Sequence, residues 1–228
     1  MALTIAMERG CGKLKLADFD SLDLSNLNRL RAGVFHLGTP KVILAAREIF
    51  EIDPYLEIEI FPEGVHADNF EDFLLGDQKL DLLIEVCDSF EVKVESRLRA
   101  RALGIPVIME TNDRAMLDIE RFDLNPDLQI FHGLVGDLSL EEVKALDPNS
   151  RMGILMKIVN AKDLSQRMKD SLPELGKSLK SWPQLASEVI LGGGISAWAS
   201  RKLLLNQTLN SGRYYVDLEK ILSANSTN

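Results

Sequence analysis

The chain has 228 residues, 46% hydrophobic and 27% charged, enough to bury a real core in one compact domain or a domain with a modest appendage. Its formal charge of -9, from 35 acidic against 26 basic residues, argues against a broad phosphate-tracking surface for nucleic acid, while a local Arg/Lys pair still suits a small anion. Two cysteines, Cys11 and Cys87, build neither a disulfide framework nor a paired CxxC zinc site. Met1 to Met7 has no basic flank and no run long enough to span a bilayer, so a cytoplasmic protein without a membrane partner is expected.

Helix and strand signals alternate along the chain, the pattern of a parallel sheet covered by helices. Ala2 to Arg9 reads as a helix stopped by Gly10 and Gly12, and Lys13 to Ala17 as a strand running into Asp18-Phe-Asp20. Thr39-Pro40 predicts a helix start with Pro at the first helical position, the helix running to about Phe50. Leu56 to Phe61 alternates as a strand, and Leu80 to Val86 is a nearly continuous apolar run, as in a strand buried on both faces. A helix from Phe90 to Leu103 ends at Gly104, and Ile105 to Met109 forms the next strand. Ser139 to Glu142 reads as a capping box opening another helix. Beyond Pro148 the text is mostly helical, with a long helix over Pro183 to Asn206 that Gly192-Gly-Gly194 could break, and an edge strand over Tyr214 to Leu218. The polar tail from Ser223 to Asn228 is expected to fray.

The informative segment is Leu16-Ala-Asp-Phe-Asp-Ser-Leu-Asp-Leu-Ser-Asn-Leu-Asn-Arg29. In a nucleotide-binding sheet, an acidic residue at the end of the second strand accepts both ribose hydroxyls, and Asp18 has that position. Asp18 and Asp20 read equally well as turn residues at a strand end. Ser25, Asn26, Asn28 and Arg29 follow as a polar cluster offering amide and guanidinium donors to a triphosphate. Twelve residues further on, Lys41 opens a helix whose N-terminus already favours anions.

The string DFDxxxxSNLNR with a later Pro-Lys pair resembles the nucleotide-binding signature of the ThiF, MoeB and HesA proteins and of ubiquitin-activating enzymes. The likeness continues through Ile52-Asp-Pro54 and Glu85-Val-Cys-Asp88 and covers roughly residues 1 to 136. It implies a Rossmann-like, mostly parallel sheet with helices on both faces over residues 1–150, and a mostly helical extension of the same domain over 151–228. By position, it implies that Asp18, with Asp20 beside it, holds the ribose of ATP. Ser25, Asn26 and Arg29 would contact phosphates, Lys41 would neutralise the triphosphate, and Asp88, with Ser89 beside it, would bind the Mg²⁺ of ATP. The implied reaction is attack of a carboxylate on the α-phosphate, giving an acyl adenylate and pyrophosphate. Such proteins activate substrates like the C-terminus of a ubiquitin-like sulfur carrier and pair as homodimers.

The chain departs from the pattern in two places. The family begins with a strand and a GxGxxG turn, and this sequence opens inside the helix that follows them, so the first strand and phosphate loop are expected to be missing. The usual Asp-Asn pair is Asp88-Ser89 here, and Asp88-Ser-Phe-Glu91 also reads as a capping box. Cys11 and Cys87 read as small buried hydrophobes rather than thioester-forming nucleophiles.

Gly192-Gly-Gly194 lacks the context of a phosphate loop and suits close helix packing. His36, His66 and His132 show no metal spacing. Arg97, Arg99 and Arg101 fan around a helix, most of them into solvent, and Trp182 and Trp198 read as core or interface anchors. Ile108 to Ala115 and Ser211 to Asp217 resemble ThiF-like domains joined to a nitroreductase-like flavin domain, making that module a further expected partner. Three function classes stand: an adenylyltransferase, a non-catalytic nucleotide-binding or docking module, and a dinucleotide-binding domain associated with an oxidoreductase, since Asp18 also suits an NAD ribose.

Overall fold

The computed structural model describes residues 1–179 and 182–223. Among these, the strands are β1 (Lys13–Ala17), β2 (Glu57–Phe61), β3 (Leu83–Ile84), β4 (Val107–Thr111), β5 (Met116–Glu120) and β6 (Gly212–Tyr215). The helices are α1 (Ala2–Met7), α2 (Lys41–Ile52), α3 (Phe70–Leu74), α4 (Phe90–Leu103), α5 (Leu140–Ala145), α6 (Pro148–Ile158), α7 (Gln166–Ser171), α8 (Ala186–Leu204) and α9 (Leu218–Ser223). The expected fraying beyond Ser223 falls outside the described residues. The chain divides into two compact units, Met1–Leu82 with Gly193–Leu209, and Leu83–Gly192 with the chain from Asn210 on.

In the first unit, β1 and β2 pair in parallel with Leu14 opposite Ile58 and Lys15 opposite Glu59. Period-two alternation therefore puts the aliphatic residues on one face and the charges on the other. Leu14, Leu16 and Ile58 pack against Ala6 of α1, Ile49 of α2 and Leu56, and half-buried Cys11 joins them. Across the charged face Lys13 Nζ lies 2.8 Å from Glu57 and 3.2 Å from Glu59. Lys15 donates to the Asp72 carbonyl at 2.8 Å, which fastens the start of the α3 region to the sheet.

In the second unit, β3 and β4 are parallel, while β4–β5 and β5–β6 are antiparallel. The expected parallel pairing thus holds for β1–β2 and β3–β4. β5 was not anticipated: in Met116-Leu-Asp-Ile-Glu120 the two acids disguise a strand whose five residues are all buried. It turns back on β4 through Arg114 (φ 57°) and Ala115 (φ 42°). The strand expected over Leu80 to Val86 contracts to Leu83–Ile84. Leu80 N–H instead closes onto the Leu74 carbonyl after α3, and beyond Ile84 the Glu85 carboxylate captures the Cys87 N–H.

Helix α4 matches its expected bounds, ended by Gly104 at φ 63°, whose N–H reaches Ala100 and Arg101 carbonyls. The capping box at Ser139 is present, its Oγ receiving Glu142 N–H at 3.2 Å. Pro40 occupies the N-cap of α2 rather than its first turn. Helix α8 is shorter than Pro183 to Asn206 and passes unbroken through Gly192-Gly-Gly194. A Cβ on Gly192 would lie 2.0 Å from Glu110 Oε1, and one on Gly193 would lie 3.0 Å from the Met1 nitrogen, so these glycines permit close approach. The closing strand runs over Gly212–Tyr215, starting two residues and ending three residues earlier than expected, and Asp217 lies beyond the ladder and pairs with Arg114 at 2.7 Å.

The second unit encloses a row of charges. Arg97, expected in solvent, is fully buried. Its Nε reaches Glu120 at 2.6 Å and its Nη1 reaches Glu85 at 2.7 Å, with the Phe131 ring centroid 4.0 Å from the guanidinium. Burial pushes the Glu85 carboxyl up, but Lys93 and Arg97 outweigh it and bring the pKa to about 2. Asp118, on the same face of β5 as Glu120, pairs with Arg213 and lies 2.8 Å from His132 Nε2. Burial lowers the His132 pKa, and its bond to Asp118 overrides this and leaves it raised.

Replacing Arg97 by Met should cost about 3–5 kcal/mol in urea unfolding, because two buried carboxylates lose their partner. The Glu85 part of this stability is present above its unfolded pKa of 4.5 and is lost as pH falls toward 2. For His132 the sign is opposite. The stability difference between the wild type and His132→Asn should be largest below pH 6.5 and shrink as pH rises through the elevated folded pKa. Asn is chosen because position 132 has φ 56°, which Asn tolerates.

Candidate functional site

The chain leaves β1 at Ala17, and Asp18 N–H still bonds the Phe61 carbonyl of the neighbouring strand. Asp18 Oδ1 then accepts Asp20 N–H at 2.8 Å, the local side-chain turn that aspartate forms readily. Burial pushes the Asp18 carboxyl up, and the Asp20 amide and Lys41 offset only part of this. The Asp20 carbonyl receives Lys41 N–H at 2.9 Å, and Lys41 Nζ reaches Asp20 Oδ2 at 2.6 Å. Asp18, Asp20 and Lys41 are therefore gathered at the carboxyl end of β1 and the N-terminus of α2. Both features of Asp18 read from the sequence, strand end and turn former, are present in one residue.

Of the polar cluster, Ser25 and Asn26 lie in a 3-10 turn, Leu24–Asn26, and Asn28 and Arg29 in the turn that follows it. Asp23 Oδ1 accepts Ser25 N–H at 2.8 Å, and Asn26 Oδ1 accepts Asp23 N–H at 2.9 Å. Asn26 is buried and serves this turn, whereas Ser25 stands in solvent. Arg29 folds back, its Nη1 bonding the Ser25 carbonyl and Asn28 Oδ1, each at 2.9 Å.

Asp88 and Ser89 belong to the second unit. The structure gives the cap of α4 to Ser89, whose Oγ accepts Val92 N–H at 3.3 Å, and not to Asp88. Asp88 is exposed and forms no hydrogen bond or ion pair among the described residues. Burial and then the Glu85 charge push the nearby Cys87 thiol up to about 12, and burial also raises Cys11. Both are thiols at neutral pH and poor nucleophiles.

Among the described residues no three His, Cys, Asp or Glu side chains converge as a metal cage. Magnesium does not need one, since one or two carboxylates and substrate phosphates suffice, and an exposed, unpaired Asp88 fits that role. A 430 Å³ cleft lined by Leu98, Arg101, Ile130 and Ser139 contains none of the expected site residues. Sequence reasoning missed Glu85, a carboxylate closing an apolar strand, which is a recognisable sign that a buried cation waits for it.

The family model described as ThiF family matches residues 1–118, and the chain belongs to the ThiF family. It is 41% identical to uncharacterized protein MT1398 of Mycobacterium tuberculosis (strain CDC 1551 / Oshkosh), over 97% of this chain and 31% of that one. It is 32% identical to the tRNA threonylcarbamoyladenosine dehydratase 2 of Saccharomyces cerevisiae (strain ATCC 204508 / S288c), over 63% of this chain and 29% of that protein. The chain thus spans about a third of the length of these curated relatives. In fold it is similar to E. coli MccB, solved with ATP, at a TM-score of 0.58 and 13% identity, over 91% of this chain and 53% of that one. No described helix is long and apolar enough to cross a membrane.

The placement of the cap separates two neighbouring residues. In urea unfolding, Ser89→Ala should lose about 1 kcal/mol, whereas Asp88→Asn should stay within about 0.5 kcal/mol of wild type. Asn caps a helix as well as Asp, so the cap is tested with Asp88→Ala, and a loss there of about 1 kcal/mol would return the capping role to Asp88.

Proposed function

We propose that this chain carries the nucleotide-handling part of an ATP-dependent, ThiF-type adenylating activity. The observation that carries the reading is the convergence of Asp18, Asp20 and Lys41 at one strand end and helix N-terminus, where a ribose acceptor and a phosphate donor are required in sequence. Family membership and the fold shared with an ATP-bound protein support it.

In this reading Asp18 accepts the ribose hydroxyls. Lys41 and Arg29 supply positive charge to the triphosphate, with Ser25 beside Arg29 and Asn26 holding the turn that presents it. Asp88, with Ser89 fixing the helix behind it, would hold the magnesium ion, which supplies charge neutralisation when bound with the phosphates. A carboxylate oxygen of the substrate attacks the α-phosphorus, the bond to the β-phosphate breaks, and pyrophosphate leaves with its electron pair. Since both cysteines are half-buried thiols whose pKa values burial raises, the sequence of reactions on this chain stops at the adenylate. The C-terminus of a ubiquitin-like sulfur carrier is one carboxylate of the right kind, and a homodimer and a nitroreductase-like flavin module are proposed as its other partners.

ATP binding is measured by calorimetry with Mg²⁺, and turnover by ATP–pyrophosphate exchange in the presence of a carboxylate substrate. Arg29→Ala should weaken ATP binding by about 1.5–3 kcal/mol, and Asp88→Asn should abolish exchange while leaving the fold intact. ATP binding without exchange in the wild type would favour a docking or nucleotide-sensing role. NAD binding in place of ATP would favour the dinucleotide-binding alternative.

A further inference from the structure

Among the described residues no hydrogen bond or ion pair fixes where the Asp88 carboxylate points; what is fixed is the turn that carries it. Glu85, 5% exposed, stands just beyond β3. Its Oε1 accepts Cys87 N–H at 2.8 Å and Lys93 Nζ at 2.9 Å. Its Oε2 accepts Arg97 Nη1 at 2.7 Å, and the same nitrogen reaches the Lys93 carbonyl at 2.9 Å. Arg97 is held from the other side by Glu120 at 2.6 Å. The side-chain-to-backbone bond of Glu85 therefore closes a turn that ends one residue before Asp88, and the Ser89 cap grips the chain one residue after it.

We propose that Glu85 is a positioning residue for Asp88: its carboxylate, clamped by Lys93 and Arg97, sets the backbone from Glu85 to Asp88 and so fixes where the exposed Asp88 carboxylate meets its ligand. This rests on the reading of Asp88 as the magnesium-holding residue. The chemistry favours it because one cation already neutralises Glu85. The second, Lys93, sits on the same oxygen that receives the Cys87 amide and stiffens the acceptor at the turn itself. A carboxylate held by buried partners behind a ligand-bearing group commonly carries a 10- to 100-fold effect on affinity, roughly, without touching the ligand.

Glu85→Gln keeps an oxygen for the Cys87 amide but loses the charge that clamps it. Lys93→Met leaves the Glu85–Arg97 pair in place and serves if the first variant does not fold. Two readouts are taken on the full chain: hydrogen exchange of the Cys87 amide without nucleotide, and Mn²⁺ affinity in the presence of ATP by electron paramagnetic resonance. Cys87 exchange should accelerate about tenfold or more while amides of β4 keep their protection, and Mn²⁺ should bind about 10- to 100-fold more weakly, with metal-free ATP binding unchanged. A variant that merely melts earlier, with Cys87 protection and Mn²⁺ affinity as in wild type, overturns the proposal. Asp88→Asn is measured alongside. If it too leaves Mn²⁺ affinity unchanged, the reading of Asp88 fails and this inference with it. If it weakens Mn²⁺ while neither other variant does, only the positioning role fails.

Discussion

The second unit is organised around one fully buried guanidinium. Stripping Arg97 of water costs several kcal/mol, which only well-made ion pairs repay, and the chain supplies two, from the end of β3 and from β5. The consequences spread from there. Glu120, having given one oxygen to Arg97, gives the other to Phe131 N–H. That bond accompanies three successive left-handed residues, Phe131, His132 and Gly133, and places the Phe131 ring on the guanidinium. Asp118, two residues back on the same face, engages His132 and Arg213, and Arg213 reaches the last carbonyl of α6 at 2.7 Å. One face of one strand thus gathers α4, the turn at residues 130–133, β6 and α6.

An apolar row of similar volume would hold these elements together as well, or better. What it would not do is fix their register. A slip of β5 by one residue would turn Asp118 and Glu120 to the opposite face, leaving Arg97 with Glu85 as its sole carboxylate and taking Asp118 away from Arg213. The charges penalise that alternative by several kcal/mol, while Leu, Ile and Met of the same strand would tolerate either face. This accounts for a strand whose sequence alternates aliphatic and acidic residues although it is buried on both sides.

The same feature explains what the sequence did and did not reveal. Helix α4 was legible to the residue, because the polar pair Asp88-Ser89 and a left-handed glycine mark its ends, although the sequence pointed to Asp88 as the cap and the structure uses Ser89. β1 and β2 were legible because their charged and aliphatic residues alternate between a salt-bridged face and a packed one. β5 was not, since acids in a strand signal solvent unless their partners are known, and Arg97, the partner of Glu120, lies 23 residues away on a helix where it looked solvated. β3 was overestimated for the converse reason: an apolar run does not reveal that backbone groups at either end are taken by a turn. Of the candidate site residues, the placement of Asp18 at the end of β1 and of Lys41 at the start of α2 was legible from spacing. Asn26 was identified as polar but its donors and acceptors serve its own turn, a detail that only the folded backbone decides.

The cations proposed to meet phosphate are not idle in this structure. Lys41 is tied to Asp20, and Arg29 to the Ser25 carbonyl and Asn28. Such contacts orient a side chain without holding it strongly, because the Lys41–Asp20 pair has one exposed partner and so contributes about 1 kcal/mol or less, and Arg29 bonds only neutral groups. A triphosphate offers several charges where Asp20 offers one, so exchanging partners costs little against the charge-assisted bonds gained. Asp88 presents the opposite arrangement, a carboxylate that has no partner among the described residues to give up, mounted on a turn held from behind by buried ion pairs. Under the proposed function the chain combines mobile donors that change partners with an acceptor fixed through its backbone. That division suits a reaction in which phosphate oxygens must be gripped and pyrophosphate then released.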